Sequence, residues 1–253
     1  MDLKNKLLKQ PLLGSFLTIP APALVEMLGQ AGYDFIIIDA EHNAFNLESI
    51  ENCLRAGTAV NVPCIVRVAE LDVRLIEIAL DSGAAGIQVP EVETAQQARR
   101  VVQLSHFPPI GRRSYMTTTR AAAHGFRPRS LVKETERQLF INIQVETKMG
   151  VKNLAAIQAT EGIDVIFIGA SDLAMDYGYE SASDPAMLSL IEKLVLSIVS
   201  AGKVAGIYAS DFSRISHLQK LGVRYFTTLS TLLIKDALIS QVNDFASRVK
   251  RGR

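Results

Sequence analysis

Short, uninterrupted apolar runs alternate along the chain with longer stretches in which apolar positions recur every three or four residues. The runs predict strands buried on both faces, and the longer stretches predict amphipathic helices. Strands are expected at 14–18, 35–39, 63–67, 86–89, 140–144, 165–168, 204–208 and 223–227. Helices are expected at 22–31, 47–58, 72–82, 93–104, 148–159, 184–201, 211–221 and 230–249. Strict alternation of strand and helix implies parallel pairing through crossover helices. Eight such units in 253 residues favour the α/β class and one closed (β/α)8 TIM barrel over residues 1–253, with an open doubly wound sheet as the alternative.

Three segments stand outside the repeat. Residues 1–13 read as a short amphipathic helix covering the bottom of the barrel. Residues 105–139 form a long insertion between strands four and five, expected at the top of the barrel as a lid or an oligomer contact. The last helix, 230–249, carries an apolar face (Leu232, Leu233, Ala237, Leu238, Val242, Phe245, Val249) that must be buried somewhere. The sequence leaves open whether it packs on its own barrel.

Composition narrows the function classes. Lys plus Arg number 27 against 26 Asp plus Glu, so no overall field draws nucleic acid or an anionic membrane. No run approaches the roughly 18 apolar residues of a membrane span, and the polar start Met1-Asp-Leu-Lys lacks a signal peptide's apolar core. Cys53 and Cys64 are too few for a zinc site or a disulfide framework and read as reduced core residues of a cytoplasmic protein.

The candidate chemistry lies at the carboxyl ends of the strands, the end at which barrel enzymes place their active sites. The run Phe35-Ile-Ile-Ile ends in Asp39, Glu41 and His42. Strand one offers Phe16 and Thr18, strand three Arg67, strand five Gln144 and Glu146, and strand six leads into Ser171 and Asp172. Bland alternatives exist: Asp39 or Asp172 as a helix cap, His42 as a surface residue, Arg67 as an ion-pair partner of Asp39 or Glu146. Glu146 and Asp172 come from neighbouring strands, and two carboxylates without cysteine suit a hard divalent ion, Mg²⁺ or Mn²⁺, with Co²⁺ as a further candidate. Arg67 suits a carboxylate or enolate oxygen. A metal beside an arginine suggests enolate formation from a 2-oxo acid chelated through its keto and carboxylate oxygens. His42 is then the proton acceptor, directly or through water. No strand ends in Lys, which disfavours a Schiff base.

The segments Ala31-Gly-Tyr-Asp-Phe-Ile-Ile-Ile-Asp39-Ala-Glu41-His42, Val66-Arg67, Asp81-Ser-Gly-Ala-Ala-Gly-Ile-Gln-Val-Pro90, Pro108-Pro-Ile-Gly-Arg-Arg113, Gln144-Val-Glu146-Thr and Ile168-Gly-Ala-Ser171-Asp172-Leu resemble the metal-dependent (class II) pyruvate aldolases of the HpcH/HpaI type. The likeness runs from about Gly14 to the last helix. It implies a barrel of the phosphoenolpyruvate/pyruvate-domain type and reversible cleavage of a 4-hydroxy-2-oxo acid to pyruvate and an aldehyde. It also implies His42 as general base, Arg67 as enolate stabiliser, and Glu146 and Asp172 as metal ligands. Gln144, Ser171, Asp172 and Phe16 would bind the 2-oxo acid, and Asp81 would raise the basicity of His42. The helix drawn over 72–82 nevertheless places Asp81 at the opposite end from His42. The resemblance also implies a homo-oligomer, a hexamer built from dimers that exchange their carboxyl-terminal helices. The rim departs from the family's usual residues: Ala170-Ser171 replaces Pro-Ala, Ser114 a Gly, Phe16 an aromatic that is commonly Trp, and Glu91 a Met or His. Related enolate chemistry, including citrate formation from oxaloacetate and acetyl-CoA, is the alternative.

Overall fold

The computed structural model describes residues 3–127, 132–209 and 212–249. Eight parallel strands, β1 (Leu12–Leu17), β2 (Phe35–Asp39), β3 (Cys64–Arg67), β4 (Gly86–Val89), β5 (Phe140–Val145), β6 (Val165–Ile168), β7 (Val204–Tyr208) and β8 (Val223–Leu229), close into a barrel in sequence order. The ring shuts where β1 pairs with β8, Leu12 opposite Tyr225 and Phe16 opposite Leu229. Around it lie α2 (Pro22–Gln30), α3 (Leu47–Ala59), α4 (Val73–Asp81), α5 (Ala95–Ser105), α10 (Pro185–Ser200) and α11 (Ile215–Leu221). Capping residues mark their starts: Asn46 and Thr94 form reciprocal boxes with Ser49 and Gln97, and Asp72 accepts from the Leu75 amide. At the far end of α11 the chain turns through Gly222 at φ 106, a left-handed exit that a side chain resists.

The strand pattern sorts the core into two layers. Odd positions of β2 (Phe35, Ile37) face the barrel interior, while Ile36 and Ile38 face the helices. Across the interior floor, Phe35 and Phe140 stack on Tyr225 with ring centroids 4.3 and 5.9 Å away. Gly14 makes room for the Phe35 ring, which a Cβ there would overlap. Below the stack, Leu3 and Leu7 of α1 (Leu3–Lys9) join the same cluster, so the first helix covers the bottom as the sequence predicts. It is shorter than 1–13, because Leu12 already pairs in the sheet. Cys53 and Cys64 are buried, unbridged thiols that burial pushes up to about 11 and about 12.

Three expectations change. The described parts of the 105–139 segment, 105–127 and 132–139, lie at the bottom of the barrel, not the top. The segment follows a helix and leads into β5, so both of its ends are at the amino-terminal face. Arg120 there donates to the Ser82 carbonyl at 2.7 Å and to the Thr58 hydroxyl at 2.8 Å, at the carboxyl ends of α4 and α3. The segment contains α6 (Val132–Gln138). The expected helix 148–159 is two pieces, α7 (Lys148–Lys152) and α8 (Leu154–Gln158), broken at Asn153, where ψ is 5°. A short helix, α9 (Ala170–Tyr177), follows β6. The long α12 (Ser230–Arg248) is tied to β1 at its first turn, Ser230 Oγ accepting from the Thr18 amide at 3.2 Å. Beyond that turn it leaves its apolar face uncovered: Leu238, Val242 and Phe245 are 63%, 61% and 57% exposed. No helix among the described residues is long and apolar enough to cross a membrane.

Candidate active site

The carboxyl ends of the strands open into a cavity of about 800 Å³. Phe16, His42, Arg67, Gln144, Glu146, Ser171 and Asp172 all line it, so seven of the predicted site residues converge. Asp81 does not. It ends α4 at the amino-terminal face, where its carboxylate accepts from Arg113 Nη2 at 2.6 Å. No pairing with His42 forms within the chain, because one residue precedes a strand and the other follows one.

Arg67 closes β3 beside Asp39, its register partner on β2. Its Nε donates to Asp39 Oδ1 at 2.8 Å, its Nη1 lies 3.0 Å from Glu41 Oε2, and the guanidinium sits 4.7 Å over the Phe16 ring. The predicted alternative of an ion pair with Asp39 is thus present, but the guanidinium still faces the cavity. Asp39 is held in turn by Asn43 Nδ2 at 2.5 Å and by the Glu41 amide at 3.3 Å. This turn aims Glu41 back over the barrel. Glu41 Oε2 lies 3.6 Å from His42 Nε2, and the imidazole itself is well exposed at the rim. The carboxylate next to His42 in this chain is therefore Glu41, a residue the sequence places in the polar crown without a role.

Glu146 lies just past β5 and is buried. Its Oε1 accepts from the Glu91 amide at 2.8 Å and its Oε2 from Gln144 Nε2 at 2.6 Å. Glu91 takes a positive φ of 51° to deliver that amide, a strained conformation at the mouth. Burial pushes the Glu146 carboxyl up to about 7 against those two hydrogen bonds, with Asp172 and Glu41 adding repulsion. Glu41 is also pushed up to about 7, by burial first; Arg67 opposes the rise, and Asp39, Glu91 and Asp172 add to it. Asp172, in the first turn of α9, is exposed and acts on both. Behind Glu146 stands Gly169, whose missing side chain makes room for the carboxylate.

These carboxylates suit a hard cation. Partly desolvated acids crowd one arginine, and positive charge added among them would relieve their repulsion. Among the described residues no group of three or more His, Cys, Asp or Glu is arranged as a complete metal site. Glu146 and Asp172 would provide the two-carboxylate set of an ion that keeps its remaining positions for water or substrate.

A profile of the HpcH/HpaI aldolase/citrate lyase family matches residues 12–224. A 2-keto-3-deoxy-L-rhamnonate aldolase of Salmonella gallinarum is 32% identical over 237 residues, 93% of this chain and 89% of that one. Among solved structures, an HpcH/HpaI aldolase/citrate lyase family protein from Burkholderia cenocepacia superposes with TM-score 0.87 at 31% identity, covering 96% of this chain and 98% of the other. The citrate synthase SbnG superposes with TM-score 0.88 at 28% identity, covering 98% of each chain.

Proposed function

The chain belongs to the HpcH/HpaI aldolase/citrate lyase family and is a carbon–carbon lyase, and from that premise we propose that it cleaves a 4-hydroxy-2-oxo acid reversibly to pyruvate and an aldehyde. The convergence of Arg67, Glu146, Asp172 and His42 on one cavity carries this reading. The name of the Salmonella relative describes an acid with a keto group at carbon 2 and a deoxy carbon 3, which fits that substrate class.

Glu146 and Asp172 are the proposed holders of a divalent cation, Mg²⁺ or Mn²⁺, which when bound supplies Lewis acidity toward the keto and carboxylate oxygens of the 2-oxo acid. Gln144 and the start of α9 at Ser171 orient that acid, with Phe16 forming one wall. Arg67 stabilises negative charge developing on oxygen during C3–C4 cleavage, and its hold on Asp39 and Glu41 keeps the guanidinium fixed while it does so. His42 takes the proton from the 4-hydroxyl, directly or through water. Glu41 at 3.6 Å steadies the imidazolium that results. In the reverse direction the same groups draw a methyl proton from pyruvate. A second copy of the chain is the proposed cover for α12.

Proton exchange from the pyruvate methyl group into D₂O tests the reading. Exchange is expected with Mg²⁺ or Mn²⁺ and is expected to stop with EDTA. An enzyme whose exchange ignores the chelator, or a Glu146→Ala protein with undiminished exchange, refutes it. The likeness to the citrate synthase SbnG makes condensation of oxaloacetate with acetyl-CoA the second reading, and thiol release from that pair would favour it over aldol cleavage.

A further inference from the structure

Below the mouth, the barrel interior contains two carboxamides that do not reach the cavity. Gln88, in the middle of β4, and Asn142, its register partner on β5, are both fully buried. The register continues this row to Arg67 on β3 and Asp39 on β2, both of them residues of the mouth. Burying an amide costs free energy unless it is hydrogen-bonded, and an apolar residue would fill the space without that demand. The two amides are linked in one direction. Asn142 Nδ2 donates to Gln88 Oε1 at 2.8 Å, Gln88 Nε2 donates to Gln144 Oε1, and Gln144 Nε2 donates to Glu146 Oε2 at 2.6 Å.

The polarity of this ladder is fixed from above. Gln144 Oε1 also faces Arg67 Nη1 at 3.5 Å. A flipped Gln144 would set its NH₂ against the guanidinium and its carbonyl against the Glu146 carboxylate. Gln88 holds Gln144 in the opposite, favourable orientation by giving its carbonyl a second donor, and Asn142 holds Gln88 likewise. The cooperative sense of the chain strengthens each link.

We propose that Gln88 is a positioning residue: through Gln144 it holds Glu146 Oε2 in place and presents the rest of that carboxylate to the cavity. The inference rests on the proposed role of Glu146 as a cation holder. Outer partners of this kind change metal affinity or activity by about 10- to 100-fold when removed.

Gln88→Met, of similar length and without hydrogen bonds, is the test, measured beside Gln144→Met and the double variant. Gln88→Met is expected to weaken Mn²⁺ binding in calorimetry about tenfold and to slow pyruvate methyl exchange by a similar factor. In the Gln144→Met background the same change is expected to alter either by less than about twofold, because the route is already cut. Full additivity, or Gln88→Met within about twofold of wild type, overturns the proposal. The ¹⁵N-labelled side-chain amide of Gln144 reports its orientation with no ion or substrate present. Its carboxylate-bonded proton should resonate downfield in wild type and lose that shift in Gln88→Met; an unchanged resonance refutes the link. Wild-type protein that binds no Mn²⁺ and exchanges no pyruvate proton would sink the reading of the site, while the amide resonance still decides for Gln88. Should Gln88→Met not fold, Gln88→Glu replaces it. Its neutral carboxyl can donate to Gln144 and accept from Asn142, so exchange is retained at low pH and lost as that carboxyl ionises. A pH profile superimposable on wild type counts against the proposal.

Discussion

Cation binding by this protein should be strongly linked to pH, and the size of the linkage follows from one carboxyl. Burial holds Glu146 at about 7 instead of 4.5. An ion that takes this oxygen must displace the proton present below that pH. With a single group at about 7, the apparent dissociation constant is raised by a factor of 1 + 10^(7 − pH), which is about 11 at pH 6 and about 1.1 at pH 8. Affinity for Mn²⁺ is therefore expected to rise about tenfold between those values, with about half a proton released per ion at pH 7. Glu41, also held at about 7, sheds further proton as the cation's field reaches it, and Glu41→Gln removes that contribution. Calorimetric titrations of the Glu41→Gln protein at pH 6, 7 and 8, in buffers of differing ionisation enthalpy, give affinity and proton count together. An affinity constant to within about twofold across that range would refute the argument. The same shift has a consequence without the ion. Between 4.5 and about 7 the folded chain keeps a proton that the unfolded chain has lost, so stability falls as pH rises through that window. For Glu146 the difference amounts to about 3 kcal/mol, and Glu41, whose rise Arg67 opposes, acts in the same direction. The melting temperature of ion-free protein should accordingly drop from pH 5 to pH 7.5 and recover on adding Mn²⁺.

Gly169→Ala places a Cβ within the Glu146 side chain; the carboxylate must move, and Mn²⁺ affinity should fall at least tenfold although no proposed ligand changes, as calorimetry would show. Arg67→Met takes the cation from between Asp39 and Glu41 and withdraws positive charge from the developing oxyanion, so kcat for aldol cleavage should fall by about 10²- to 10³-fold; an undiminished kcat would remove Arg67 from the mechanism. Tyr225→Phe deletes a fully buried hydroxyl that lies beside the Asn142 carboxamide, and chemical denaturation should show stability lowered by about 1 kcal/mol. The paired substitution Leu238→Asp with Val242→Asp charges the uncovered face of α12 and should reduce the mass measured by light scattering; an unchanged mass would refute α12 as a contact between copies.

The barrel was legible because buried parallel strands read as continuous apolar runs, and Phe35-Ile-Ile-Ile is the plainest of them. The cluster at the mouth was legible for the related reason that a polar residue ending such a run has one place to go. Asp81 came from the resemblance alone, and within one chain topology separates it from His42, since a helix that leads into a strand ends at the opposite face. The same rule, applied to 105–139, would have put that segment at the bottom. α9 escaped because eight half-exposed residues carry little periodicity. Glu41 stood in plain view, but its approach to His42 and Arg67 depends on the Asp39–Asn43 turn, which no periodicity encodes. The available signals for the interior ladder were a glutamine inside Gly86-Ile-Gln-Val89 and an asparagine inside Phe140-Ile-Asn-Ile143, interruptions where fully apolar runs would be expected.

The floor of stacked rings, with Leu3 and Leu7 beneath it, has a kinetic meaning. A vessel sealed at its base has one doorway, shared by everything that enters or departs. For the proposed reaction the three-carbon acid, held by the groups at the strand ends, is expected to arrive first and depart last, with the aldehyde coming and going above it. Sequence of events is then written into the architecture, before any side chain has chosen its substrate.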